Sequence, residues 1–196
     1  MKKFERVKFL IERNADSGIK ILDIGCRRKG LGPFVEHMGV YHGADLFQTG
    51  TVEYVGDFTK GLPIADCEYD VVTALDVVEH TEDMTLALDE IVRVCKQFAI
   101  VILPNHAHWS FRLRYLFTGR VGDKWNISYP LNLDRHRWLT TAASSNIYMK
   151  DYCKDRQLNL EVIDSGIGLV APYVEKTLGK ISPNFWNKNQ LYIIRR

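Results

Sequence analysis

Apolar runs long enough for a strand recur along the chain, and between them apolar positions fall at helical spacing. Residues 19–24, IKILDI, are almost continuously apolar, as a strand buried on both faces requires. VYHGADLF at 40–47, TVEYVGDF at 51–58, YDVVTALD at 69–76 and FAIVILPN at 98–105 read as further strands, the last stopped by Pro104. The segments between them read as helices. Residues 1–14 put Phe4, Val7, Leu10 and Ile11 on one face, and 31–38 form a short helix. Residues 83–95 place Met84, Leu86, Leu88, Ile91, Val92 and Cys95 on one side. This alternation predicts an α/β fold with a mostly parallel sheet. Residues 106–147 break the rhythm: rich in Trp, Arg, Tyr and Asn, they read as an inserted lid over one sheet edge after strand five. The pattern resumes with a helix at 149–157, a strand at 158–164 and a last strand at 190–196. No internal repeat interrupts it, so residues 1–196 are expected to form a single domain.

Composition narrows the function classes. With 26 basic and 24 acidic residues the net charge is +2, too balanced to predict a nucleic-acid or membrane partner. No apolar run approaches a membrane span. Glu5, Arg6, Lys8 and Glu12 interrupt any signal-peptide core, which predicts a cytoplasmic protein. Cys26, Cys67, Cys95 and Cys153 form no C-x-x-C pair, so reduced thiols are expected and zinc is not. HAH at 106–108 with His136 lacks a carboxylate at a known ligand spacing, and no metal is expected there.

Doubly wound sheets bind ligands beyond the carboxyl ends of their strands, where strand order reverses. Here strand one ends in Asp23-Ile24-Gly25, strand two in Asp45, strand three in Gly56-Asp57-Phe58 and strand four in Leu75-Asp76. Four successive strands thus end in a carboxylate. The spacing resembles that of class I S-adenosylmethionine-dependent methyltransferases. ILDIGC is similar to their first motif, and Asp45, 22 positions beyond Asp23, matches the acidic residue that holds the ribose hydroxyls. GDF at 56–58 resembles the segment that meets the adenine, and YDVVTALDVVEHTED resembles the fourth-strand motif. The resemblance implies a Rossmann-like doubly wound methyltransferase sheet with its last strand antiparallel. It also implies S-adenosylmethionine as cofactor, held by Asp23, Gly25, Cys26, Asp45, Leu46, Asp57, Phe58, Leu75, Asp76 and Val77. The chemistry agrees: carboxylates suit a sulfonium and an amino group, and one carboxylate accepts both hydrogen bonds of a diol. Gly25 would let backbone approach the ligand.

The loop IKILDIGCRRKGLGPF departs from that family. Its members have glycine where Arg27 stands and another two positions later; here the second reads as displaced to Gly30. A nicotinamide dinucleotide, the rival ligand, needs G-x-G-x-x-G to cradle its pyrophosphate, and this loop offers Gly25 and Gly30, with Arg27, Arg28 and Lys29 left to meet phosphate. Methionine carries no phosphate and tolerates a looser turn, so the loop is expected to function.

A second, narrower resemblance lies in ILPNHAHWSFRLRYLFTGR, SYPLNLDRHRW, MKDYCKDRQLNLEV and NFWNKNQLYIIRR, which are similar to the methionine biosynthesis W protein family; LDRHRWLTTAASSN departs from it. That resemblance implies work beside homoserine acetylation. Methyl transfer is an in-line displacement that needs positioning and, for an OH or NH acceptor, a base. His80, His106 and His108 are the candidate bases. RLRYLFTGR at 112–120 reads either as a site for an acidic substrate or partner or as a snorkelling amphipathic helix. The expected function is methyl transfer from S-adenosylmethionine to a small-molecule acceptor. The alternative is a non-catalytic protein that binds S-adenosylmethionine or S-adenosylhomocysteine and regulates a partner enzyme in methionine biosynthesis.

Overall fold

The structure, a computed structural model, describes residues 2–48, 50, 52–127, 129–130, 134–165 and 182–196. The apolar runs become β1 (Ile19–Ile24), β2 (Gly39–Asp45), β3 (Tyr54–Val55), β4 (Tyr69–Leu75), β5 (Cys95–Pro104), β6 (Asn159–Ser165) and β7 (Asn189–Arg195). They form one sheet in the order β3-β2-β1-β4-β5-β7-β6. β1 to β5 pair in parallel, and β7 lies antiparallel to both β5 and β6. The chain winds outward from β1 to β3 and returns to β4 on the other side of β1. The reversal therefore falls between β1 and β4, beyond whose carboxyl ends doubly wound sheets bind ligands.

Alternation along each strand sends side chains to two cores. Leu22, Ile24, Val72, Ala74, Ala99 and Val101 face α3 (Met84–Val94) and α5 (Ala142–Asp155). Ile19, Ile21, Val71, Ile100 and Ile102 face α1 (Lys3–Asn14) and α2 (Gly32–Val35). α1 buries Val7, Leu10 and Ile11, three of its four expected apolar residues. α4 (Trp109–Thr118) follows β5, and α6 (Pro183–Trp186) precedes β7. Among the described residues no helix is long and apolar enough to cross a membrane. The four cysteines are free thiols.

Three elements differ from the sequence reading. The third strand keeps two residues, because Asp57 accepts hydrogen bonds from the Thr59 backbone and hydroxyl and starts a 3₁₀ turn. α3 buries Ala87 and Glu90 while Leu86 stays half exposed. Glu90 is held there by the Leu62 amide and by Arg93. α5 begins at Ala142 rather than 149: the Thr141 hydroxyl caps it by accepting from the Ser144 amide, and the Ser144 hydroxyl accepts from the Thr141 amide. The inserted segment is shorter by that much.

Candidate functional site

The loop after β1 is tied to β2 along its length. The amides of Gly25 and Cys26 both donate to Ala44 O, at 2.8 and 3.3 Å. The Arg27 amide donates to the Asp45 carboxylate at 2.7 Å, and the other Asp45 oxygen accepts from the Phe47 amide. Asp45 thus fixes the loop and ends β2 in one stroke. Gly25 has φ +72°, and a Cβ built on it would lie 2.4 Å from Val77 Cγ2. Its missing side chain makes room for Val77 on the neighbouring strand end. Cys26 is buried against Gly43, where a Cβ would come within 2.5 Å of its sulfur. Burial first, then Asp23 and Asp45, pushes the Cys26 thiol up to about 12.

Arg27 and Lys29 both stand in the left-handed region, at φ +50° and +53°. These are the two places where the resemblance led one to expect glycine. Gly30 is not a displaced turn glycine, as the sequence suggested: it lacks a side chain because the Phe4 ring packs where its Cβ would be, at 3.1 Å. The loop keeps the glycine-type backbone with basic residues in it, at about 1–2 kcal/mol for each. Their side chains are engaged across the loop, Lys29 with Glu53 at 2.5 Å and Arg27 with Asp134 at 2.8 Å.

The other strand ends are less uniform. Asp23 is buried and accepts from Tyr41 and Thr73 hydroxyls at 2.8 and 2.7 Å. Burial outweighs those bonds and raises its pKa to about 6. Leu46 and the neighbouring Phe47 are exposed beyond β2, whereas Phe58 is packed into the core. Asp57 caps its own turn and lies 3.6 Å from Lys60, and its pKa is lowered: burial raises it, but the Thr59 bonds and Lys60 prevail. Leu75 packs toward the α1 side and Val77 toward the other. Asp76, at φ +59°, pairs through one oxygen with Lys3 of α1 at 3.0 Å; its other oxygen is buried with no hydrogen-bond partner. Lys3 reaches the edge from a helix that sequence reading treated as packing alone.

Beyond Asp76 a 3₁₀ turn, Val78–His80, brings two titratable side chains inward. Glu79 is fully buried. Burial, then Asp76, raises its pKa to about 8. Residues 136–138 lie along this turn: the amides of Arg137 and Trp138 donate to Glu79 O, and the Trp138 indole donates to Thr81 O. His136 is thereby set edge-on to His80 and His106, with ring centroids 4.5 and 5.0 Å away, and Trp125 closes the group at 5.5 Å. Burial is the first cause lowering the pKa of all three histidines, His136 to about 3. His80 and His106 thus both pack on His136. His108 stands apart: its ring caps α4 by accepting from the Ser110 amide. In the sequence His136 groups only with HAH, and neither its contact with His80 nor that with Glu79 has a sequence signal, since a long insertion separates them.

Solved structures share this architecture. A small RNA methyltransferase, HEN1, superposes with a TM-score of 0.66 at 17% identity over all of this chain, which spans a quarter (25%) of that longer one. An S-adenosylmethionine-dependent methyltransferase from Mesorhizobium loti gives 0.61 at 12% identity, covering 98% of each chain. One from Archaeoglobus fulgidus gives 0.58 at 15%, covering 99% of this chain and 95% of that one. At these identities the likeness shows the fold, a Rossmann-like class I methyltransferase fold. No curated protein matches by sequence. The family model described as methionine biosynthesis protein MetW matches residues 5–194, nearly the whole length, and the chain belongs to that family.

Proposed function

We propose that the protein binds S-adenosylmethionine across the ends of β1, β2 and β4 and transfers its methyl group to a small-molecule acceptor held near residues 106–141. The observation that carries this reading is the loop at 25–29, which keeps left-handed backbone at Gly25, Arg27 and Lys29 and is pinned by Asp45. A carboxylate has about four acceptor sites, so Asp45 retains capacity for a ribose diol beside its two backbone bonds. Exposed Leu46 and Phe47 offer an apolar face for adenine next to it. Asp76 brings negative charge to the same edge, partly balanced by Lys3. The bound cofactor supplies an electrophilic methyl group. In this reading His106, its Nδ1 turned to Thr140 O at 3.1 Å, accepts the acceptor's proton through its other nitrogen.

Calorimetric titration with S-adenosylmethionine and S-adenosylhomocysteine, with NADH as control, tests the reading. Micromolar binding of the first two is expected, weakened at least tenfold by Asp45→Asn. A folded protein that binds neither overturns it.

A second reading is favoured by α4, which buries none of its residues and exposes Leu113, Tyr115, Leu116 and Phe117. In that reading the same cofactor site regulates a partner enzyme of methionine biosynthesis that docks on this helix. The two separate by assay: turnover of an acceptor supports the first. Cofactor-dependent association with a homoserine-acetylating enzyme, lost in Phe117→Ser and without turnover, supports the second.

A further inference from the structure

We propose that Glu79, His80 and His136 form a binding site for one divalent first-row transition-metal ion. One ligand atom from each lies within 4.8 Å of the other two. Glu79 Oε1 is 3.9 Å from His80 Nε2 and 3.7 Å from His136 Nε2. Those separations are too long for hydrogen bonds. They are close to what an ion between the groups requires, since ligands at about 2.0–2.2 Å from a metal stand roughly 3.0–3.6 Å apart. The two Glu79 separations exceed that range by a few tenths of an ångström, and the histidine pair, within 4.8 Å, by up to about 1.2 Å, so a small inward movement of the His80 and His136 rings closes the set.

Three further observations point to an ion. Both Glu79 oxygens are sealed from solvent and have no hydrogen-bond partner among the described residues. Buried carboxylates in proteins are paired, hydrogen-bonded or metal-bound, and the nearby cations are engaged elsewhere: Lys124 with Asp134 at 2.7 Å and Lys3 with Asp76 at 3.0 Å. His80 faces the Arg135 carbonyl through Nδ1 at 3.1 Å, with Asp134 at 3.3 Å from the same nitrogen. A proton on Nδ1 donates there and leaves the Nε2 lone pair aimed at Glu79, the outer-shell arrangement that orients histidine ligands. Finally, the two ligand-bearing segments are locked together by the backbone and indole bonds between 137–138 and 79–81.

Two imidazoles and one carboxylate suit zinc, iron, manganese or cobalt, and disfavour magnesium, which prefers oxygen ligands. The remaining coordination positions are left to water or to an acceptor. The site stands on its own residues; only a use of the ion in methyl transfer rests on the function proposed above.

The test is calorimetric titration of the full-length, chelator-treated protein with Zn²⁺, Mn²⁺ and Mg²⁺ in turn. One Zn²⁺ or Mn²⁺ per chain is expected, weaker binding of Mg²⁺, and at least a tenfold loss in Glu79→Gln and in His136→Ala. Absence of binding, or binding unchanged in both variants, overturns the proposal. Should the variants fail to fold, X-ray absorption of the Zn²⁺-loaded wild type decides: two imidazole ligands are expected, and an all-oxygen shell refutes the site. Asp45→Asn separates the two proposals, since it is expected to lose S-adenosylmethionine and keep the metal. Metal binding without cofactor binding in the wild type leaves this site standing and the methyltransferase reading fallen.

Discussion

Alanine at Gly25 would meet two separate obstacles, and a double-mutant cycle can tell them apart. The first is conformational: at φ +72° a side chain costs about 1–2 kcal/mol. The second is steric. The new Cβ would lie 2.4 Å from Val77 Cγ2 and 2.7 Å from Val77 Cβ, and overpacking of that kind costs about 1–3 kcal/mol. Gly25→Ala should therefore destabilise by about 2–5 kcal/mol. Val77→Ala alone, at a half-buried position, should cost about 1 kcal/mol. In the double variant the Cγ contact is gone while the Cβ contact and the backbone strain persist. A favourable coupling of about 1–2 kcal/mol is expected, well outside the 0.5 kcal/mol within which independent sites add. Urea unfolding of the four proteins at one pH supplies the cycle. Additivity would refute the steric half of the reasoning and leave backbone strain as the whole effect. The same four proteins titrated with S-adenosylmethionine should follow the same order, with affinity lost in Gly25→Ala and partly recovered in the double variant.

Asp23 makes a pH signature. Its pKa is raised from 3.8 to about 6 in the folded state, so the native protein binds the proton more tightly than the unfolded chain. The group's contribution is intact below 3.8 and is lost as pH rises through about 6. Asp23→Asn should thus gain stability over wild type by about 2 kcal/mol more at pH 7.5 than at about pH 4, and a constant gap in urea midpoints would sink the assignment. Arg27→Gly relieves left-handed strain and gives up an exposed ion pair, so stability should change by less than about 1 kcal/mol. Its S-adenosylmethionine affinity, by calorimetry, should stay within about threefold; a tenfold loss would show that the arginine itself contacts ligand. Thr141→Ala should cost about 1 kcal/mol in thermal or urea unfolding, whereas a helix starting at 149 would make that change silent.

Hydrophobic patterning made the parallel strands legible, because a strand buried on both faces has no polar alternation to confuse it. Acids at the strand ends were legible because each breaks an apolar run, although Asp23 is still inside β1 and is accommodated in the core by the Tyr41 and Thr73 hydroxyls. α5 was misplaced because its inward side begins with Ala142 and Ser145, which carry no apolar signal. Glu90 and Leu86 exchange their expected places because Arg93 and the Leu62 amide satisfy the buried acid. The left-handed turns at Arg27 and Lys29 are invisible to residue type, which points to glycine for that backbone. Glu79 and His136 meet only through the insertion folding back on the β4 end, a long-range contact with no local periodicity.

The position of β7 bears on how the chain is made. It pairs β5 to β6, yet it follows both in the chain. Until β7 has joined the sheet, β5 carries an open backbone edge on that side and β6 lacks the strand that ties it to the sheet. The folding chain therefore passes through a stage in which the β5 edge and an undocked β6 are open to other chains. Chaperone demand and aggregation should concentrate at that stage, and a variant whose β7 docks poorly, such as Ile193→Asp, should lose soluble yield to aggregation.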